Sequence, residues 1–234
     1  KTKMNRDIIL KARIFEQISR DRGMEIFEQL SPHCLDLKKR EILFRDGEKV
    51  EQFAIVEYGE LSATKLYQDG RQSLLLKFLP SYMVGVDIAA TKKQICTYYV
   101  TAQQDCRVYL IDYEKVAKPG WIPEPERLLM MESVLALIAG EHLRQMNKIE
   151  ILSRNGLRER ILTFLAIQRN LRGSDEFDIL YNREELAEYL CVNRSALSHE
   201  LRKMEQEHLI FCRKNHFRIL DAELYRRCEE TVEI

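Results

Sequence analysis

The residues of this 234-residue chain best suited to chemistry lie close together near its C-terminal end. Arg194, Ser195, Ser198, His199 and Arg202 are all hydrogen-bond donors, left exposed by a helix whose Leu197, Leu201 and Met204 share one side at i, i+4 and i+7. Donors at that spacing suit base edges and phosphates in the major groove of double-stranded DNA. Farther on, Arg213 and Lys214 stand between two β-rich runs, Leu209-Ile210-Phe211 and Phe217-Arg218-Ile219-Leu220. Between residues 194 and 218 six Arg and Lys face three Glu, a local +3 in a chain of formal net charge +0. A phosphate backbone rewards such a patch through counterion release.

The elements that must position these groups can be read upstream. Asn182 can cap a first helix, and Glu185 three residues on completes a capping-box pattern. Leu186, Ala187 and Leu190 give that helix a short apolar face. After a break at Cys191-Val192, Asn193 offers a cap for the second helix. Two capped helices one tight turn apart, followed by a hairpin with a basic tip, make a winged helix-turn-helix. A plain structural helix pair is the competing reading, and the basic hairpin weighs against it.

Composition narrows the remaining classes. Hydrophobic residues at 45% and charged residues at 32% are those of a globular protein, long enough for two domains with separate cores. No apolar run approaches the roughly 18 residues needed to span a membrane, and no secretory signal pattern is seen. The cysteines at 34, 96, 106, 191, 212 and 228 form no C-x-x-C pair and no zinc spacing. Free thiols in a reducing cytoplasm are expected, with Cys96 and Cys106 as redox candidates set against ordinary core cysteines. An enzyme is not expected: there is no nucleophile–base pair, phosphate-binding glycine loop or H-E-x-x-H, and His33 is the one histidine of the β-rich region.

Along the chain, residues 4–30 carry a helical pattern. From His33 to about residue 116, short β-rich runs alternate with turn signals such as Asp46-Gly47, Tyr58-Gly59, Asp69-Gly70 and Met83-Val84-Gly85, which suggests a β-barrel or jelly roll. Prolines 119, 123 and 125 end it. Leu128, Met131, Leu135, Ile138, His142, Gln145, Ile149 and Leu152 then repeat at 3-4 spacing, a coiled-coil rhythm that calls for a partner helix. Leu129, Val134, Leu137 and Leu143 lie off that seam, so the helix should also touch its own barrel. Ser153-Arg154-Asn155-Gly156 breaks the repeat, supplies caps and is the expected hinge. The fold class expected is α+β. Residues 1–125 would form an N-terminal jelly-roll sensing domain with N-terminal helices, 126–153 a long dimerisation helix, and 154–234 a C-terminal winged helix-turn-helix.

With these parts in this order, the chain resembles the Crp/Fnr transcription regulators, most closely in REELAEYLCVNRSALSHELRKMEQEHLI and FRDGEKVEQFAIVEYGEL. The resemblance implies a homodimer joined through residues 128–152, a barrel that senses a small-molecule effector, and winged helices that bind a near-palindromic operator with half-sites about 34 Å apart. RNA polymerase is a further candidate partner. It also places Val86, Cys96, Thr97, Tyr98 and Gln145 around the effector pocket. Two departures qualify it. Cyclic-nucleotide binders have Gly-Glu and then Arg-Ser or Arg-Thr, where this chain has Gly85-Val86 and Cys96-Thr97, so weak or no cyclic-AMP binding is expected. No cysteine precedes Cys34, so the N-terminal iron-sulfur ligands of the oxygen-sensing branch are not expected, while haem remains open and the cofactor unassigned. Ser195 and His199 stand where family members commonly present Glu and Arg to the bases, so the operator should differ from the best-known sites. Cys191 stands where many such turns have Gly, so the turn need not have the usual left-handed residue.

Overall fold

The computed structural model describes residues 4–67, 70 and 72–221; Cys228 and Asp69 lie outside them. The chain divides into two compact units, Lys1–Glu141 and His142–Ile234, with the division inside one long helix.

In the first unit, apolar residues of the N-terminal segment are buried by three short pieces rather than one helix: α1 (Arg6–Ile9), a 3-10 turn (Arg13–Phe15) and α2 (Arg20–Gln29). Ile9, Ile14, Phe15, Ile26, Phe27 and Leu30 all reach the core, so the chain bends between the pieces to bring each apolar cluster onto the same sheet. Among the described residues eight antiparallel strands follow in two sheets, the jelly-roll arrangement. One has the order β1-β8-β3-β6, comprising β1 (His33–Leu37), β8 (Cys106–Asp112), β3 (Gln52–Tyr58) and β6 (Met83–Val84). The other has the order β2-β7-β4-β5, comprising β2 (Ile42–Phe44), β7 (Tyr99–Ala102), β4 (Leu61–Leu66) and β5 (Gln72–Phe78). Leu37, Phe44, Val56, Leu61, Val84, Val100 and Val108 fill the space between the sheets, while Phe53, Ile55, Tyr109 and Ile111 face the N-terminal helices.

Two turn glycines are fixed by sterics. Gly59 has φ +92, and a Cβ there would lie 2.6 Å from the Asp105 carbonyl oxygen. Gly85 has φ +84, and its Cβ would lie 2.7 Å from the Phe44 ring. Each position therefore combines a left-handed backbone with a contact that excludes any side chain.

Gly85 leads into α3 (Val86–Ala89), and β8 into α4 (Tyr113–Ala117). Helix α5 (Glu124–Ser153) then runs for 30 residues. Met130 and Val134 are buried in the core of the first unit, with Met131, Leu137 and Ile138 packed beside them. Leu128, Leu135, Leu143, Met146 and Ile149 are exposed, Leu135 at 68%. Leu143, expected to pack on the barrel, therefore belongs to the exposed stripe; a position four residues beyond Ala139 and three before Met146 lies on the outward face with them.

The second unit has a separate core. Helix α6 (Leu157–Arg172) contributes Ile161, Phe164 and Leu165, and is followed by β9 (Glu176–Asp178), α7 (Arg183–Tyr189), α8 (Arg194–Gln206), β10 (Ile210–Arg213) and β11 (His216–Ile219). The three strands pair antiparallel in the order β10-β11-β9. The expected capping by 153–156 is not seen: Gly156 holds the N-cap position of α6 without a side-chain bond, and Ser153 Oγ donates back to the Glu150 carbonyl at 2.7 Å.

Candidate nucleic-acid interface

Helix α7 begins as its sequence dictates. Asn182 Oδ1 accepts from the Glu184 and Glu185 amides at 2.9 and 3.0 Å, and the Asn182 amide donates to Glu185 Oε2 at 2.7 Å, a complete capping box. Leu186, Ala187 and Leu190 are buried. The turn then closes with the Val192 amide donating to the Ala187 carbonyl at 2.9 Å. Cys191 sits in this turn at φ 56. The residue type left a left-handed turn optional, and the backbone takes that conformation although no glycine is there, because the bond from Val192 back to Ala187 requires it. Asn193 occupies the N-cap position of α8 and is exposed, but makes no side-chain capping bond.

On α8, Leu197, Leu201 and Met204 are buried, and Arg194, Ser195, His199 and Arg202 are exposed on the other side, with Ser198 half-buried at the margin. The acidic residues of the helix and its end are each bonded within the unit. Arg158 Nε donates to Glu200 Oε1 at 2.6 Å, and the same guanidinium donates to Glu207 through Nη1 at 2.6 Å and Nη2 at 3.0 Å. Glu205 Oε1 accepts from the Cys212 amide at 3.0 Å. The Arg158 guanidinium holds the Glu207 carboxyl below its usual range. The local +3 is thus distributed unevenly: all three carboxylates are engaged within the unit, and the outer face keeps its cations.

Strands β10 and β11 meet in the register Arg213↔His216, with Lys214 at φ 56 in the two-residue turn. The turn is anchored. Arg183 Nη2 donates to the Lys214 carbonyl at 3.2 Å, and Asn215 exchanges bonds with Ile179, its backbone accepting at 2.9 Å and its Nδ2 donating at 3.2 Å. His216 places Nδ1 3.0 Å from Asp178 and Nε2 3.0 Å from Glu176. Arg218 pairs with Glu176 at 3.0 Å, so its charge is partly offset within the hairpin. Arg213 and Lys214 are exposed, and with Arg194 and Arg202 they make no ion pair among the described residues. No local sequence pattern marks Arg158 or Arg183, because both lie outside the helix and hairpin they hold.

The pocket positions separate. Cys96 and Tyr98 are buried between the two sheets, with Cys96 Sγ donating to the Tyr98 carbonyl at 3.0 Å and the Tyr98 hydroxyl donating to Asp87 Oδ2 at 2.8 Å. Burial pushes the Tyr98 hydroxyl and the Cys96 thiol upward, so both stay protonated. Val86 is buried as well, but in the cluster shared with the N-terminal helices. Thr97 is exposed, and its carbonyl accepts from Lys65 Nζ, which also pairs with Asp46 at 2.7 Å. Gln145 is exposed on α5 in the second unit. Cys106 donates to the carbonyls of Glu60 and Gln104 at 3.2 and 3.0 Å, and burial raises its thiol too. Among the described residues no cluster of three His, Cys, Asp or Glu side chains could hold a metal ion, and no helix is long and apolar enough to cross a membrane.

The family described as "Cyclic nucleotide-binding domain" matches residues 34–118, and the "Crp-like helix-turn-helix domain" matches residues 159–227. The chain belongs to the Crp/Fnr family of transcription regulators. It is 27% identical to the transcriptional activator protein anr of Pseudomonas aeruginosa over 207 residues, covering 85% of this chain and 81% of that protein. It is 20% identical to the cAMP-activated global transcriptional regulator CRP of Pasteurella multocida, covering 76% of this chain and 85% of that one. The structure of FixK2 from Bradyrhizobium japonicum shares the fold, with a TM-score of 0.62 at 18% identity, over 84% of this chain and 96% of that one. As a Crp/Fnr protein the chain is a transcription regulator with a DNA-binding helix-turn-helix, not an enzyme.

Proposed function

We propose that the protein is a homodimeric, effector-responsive regulator that binds a near-palindromic operator, with an effector other than cyclic AMP. The observation that carries the DNA side is the division of α8: carboxylates bonded to Arg158 and Cys212 on one side, donors exposed on the other. Arg194, Ser195, Ser198 and His199 read base edges in this proposal, while Arg202, Arg213 and Lys214 meet phosphates. Dimerisation is supported by the exposed apolar stripe of α5 from Leu128 to Ile149, since a partner helix would remove it from water. The domain scheme is a sensing domain over 1–125, a dimerisation helix over 126–153 and a DNA-binding domain over 154–234. The exclusion of cyclic AMP rests on Val86 and Cys96, which offer neither a ribose acceptor nor a phosphate cation. Cytoplasmic location and contact with RNA polymerase follow from the same reading.

The test is a band-shift titration of the full chain, using a duplex selected by the protein from random-sequence DNA and a scrambled control. A preferred site with two half-sites one helical turn apart and a steep salt dependence is the expected result. Equal, weak binding to both duplexes at every salt concentration would overturn it.

A further inference from the structure

The second unit holds a half-buried cation outside the interface just described. Lys148, in the last turns of α5, places Nζ 4.5 Å from the centroid of the Tyr189 ring. That ring packs on Tyr181 at 4.9 Å and on Phe164 of α6 at 5.7 Å, so α5, α6 and α7 meet on one aromatic cluster. Burial pushes the Lys148 ammonium down, partly offset by the nearby Cys191 sulfur, and pushes the Tyr189 hydroxyl up to about 12. Tyr189 is the last residue of α7. Two residues on, Cys191 makes the left-handed turn, and α8 starts at Arg194. A shift of the Tyr189 ring therefore changes the direction in which the chain enters α8.

We infer that Lys148 is a positioning residue for DNA reading: its ammonium, seated on the Tyr189 ring, fixes the end of α7 and so the orientation of Arg194 and Ser195. This rests on α8 being the element that faces DNA. A cation on an aromatic face gains most where water is partly excluded, and arginine can replace lysine there whereas methionine fills the space without the charge.

The experiment compares full-length wild type, Lys148→Arg, Lys148→Met, Tyr189→Phe and Tyr189→Leu. Each is titrated with the selected duplex across salt concentrations, and each is followed without DNA by amide hydrogen exchange over residues 189–197. Lys148→Met and Tyr189→Leu should bind about tenfold more weakly with an unchanged salt slope and exchange faster, while Lys148→Arg and Tyr189→Phe stay within about twofold of wild type. Wild-type affinity and exchange in Lys148→Met would overturn the inference. A slope reduced by about one would make Lys148 a phosphate contact instead, and failure of Lys148→Arg to rescue would reduce it to packing. Should wild type itself lack salt-dependent DNA binding, the DNA reading fails, and the exchange data still decide the cation–ring contact. Should Lys148→Met not fold, the two Tyr189 variants make the same comparison.

Discussion

Arg158 and Glu207 form a two-pronged ion pair, Nη1 to Oε2 at 2.6 Å and Nη2 to Oε1 at 3.0 Å, which joins the first turn of α6 to the end of α8. The remaining guanidinium nitrogen reaches Glu200, so one side chain fixes α8 at two points. A fork of this kind is directional in a way a lysine is not. Arg158→Ala should lower the unfolding midpoint of the second unit by roughly 4–8 °C and weaken binding to every duplex, because α8 loses both anchors to α6 and two carboxylates lose their cation. Since Glu207 is depressed in the folded protein, its contribution is present above the unfolded carboxylate value near about 4.3 and is lost as pH falls through the folded value. The gap between wild type and variant in thermal melts should therefore close on acidification. A gap that widens at low pH would contradict this account.

Cys191 carries a second prediction. A non-glycine residue in the left-handed region costs roughly 1 kcal/mol, and more when it is β-branched. Cys191→Gly should be neutral or stabilising by about 0.5–1 kcal/mol, and Cys191→Val should be destabilising by about 1–2 kcal/mol, as read from denaturant midpoints at constant slope. A destabilised glycine variant would mean that the thiol makes a contact worth more than the strain.

These two residues also show which parts of the molecule can be read from sequence. The Asn182–Glu185 box, the buried triplet Leu197, Leu201 and Met204, and the strands around Phe53 and Val108 follow from short-range rules, and they appear as expected. Arg158 bonds partners 42 and 49 residues away, and no local period reports that. Cys191 fails in the opposite sense: the residue type argues against a left-handed turn, but the closure of α7 on Ala187 imposes it. Likewise Arg218 counts as a free cation until the strand register sets it beside Glu176. The N-terminal apolar pattern was legible as burial but not as a division into three pieces, since that depends on the shape of the sheet beneath.

Cyclic AMP should show no saturable micromolar binding by calorimetry. Restoring a cation by Cys96→Arg should not create the site: Cys96 is 0% exposed between the two sheets, and an unpaired arginine there costs several kcal/mol. The variant should unfold or lose its melting cooperativity rather than gain affinity. Saturable micromolar binding by wild type would refute the first statement, and a folded Cys96→Arg protein with micromolar cyclic-AMP affinity the second.

The exposed stripe of α5 makes dimerisation testable at single positions. Leu135→Arg and Leu143→Glu place charges on outward-facing apolar sites, while Val134→Arg would disrupt the first unit itself. The first two should raise the dimer dissociation constant at least about tenfold in sedimentation equilibrium, with helix content retained. A monomeric wild type, or dimers indifferent to both charges, would move the interface elsewhere.

The division of labour on α8 gives the last prediction. Arg202 is exposed one turn beyond His199, next to the end of the helix rather than its start, and it makes no ion pair among the described residues. In the proposed binding mode Arg202 is a phosphate contact, whereas His199, exposed on α8 like Arg194 and Ser195, is a base contact. Arg202→Ala should therefore weaken all duplexes alike and reduce the salt slope by about one. His199→Ala should leave the slope nearly unchanged and relax preference at one position of each half-site, at a cost of about 1–3 kcal/mol for the preferred duplex alone. The two variants are compared by titrating the selected duplex and its single-base variants at several salt concentrations. Equal losses on every sequence for both would mean that neither residue reads a base, and that specificity comes from Arg194 or from the deformability of the DNA.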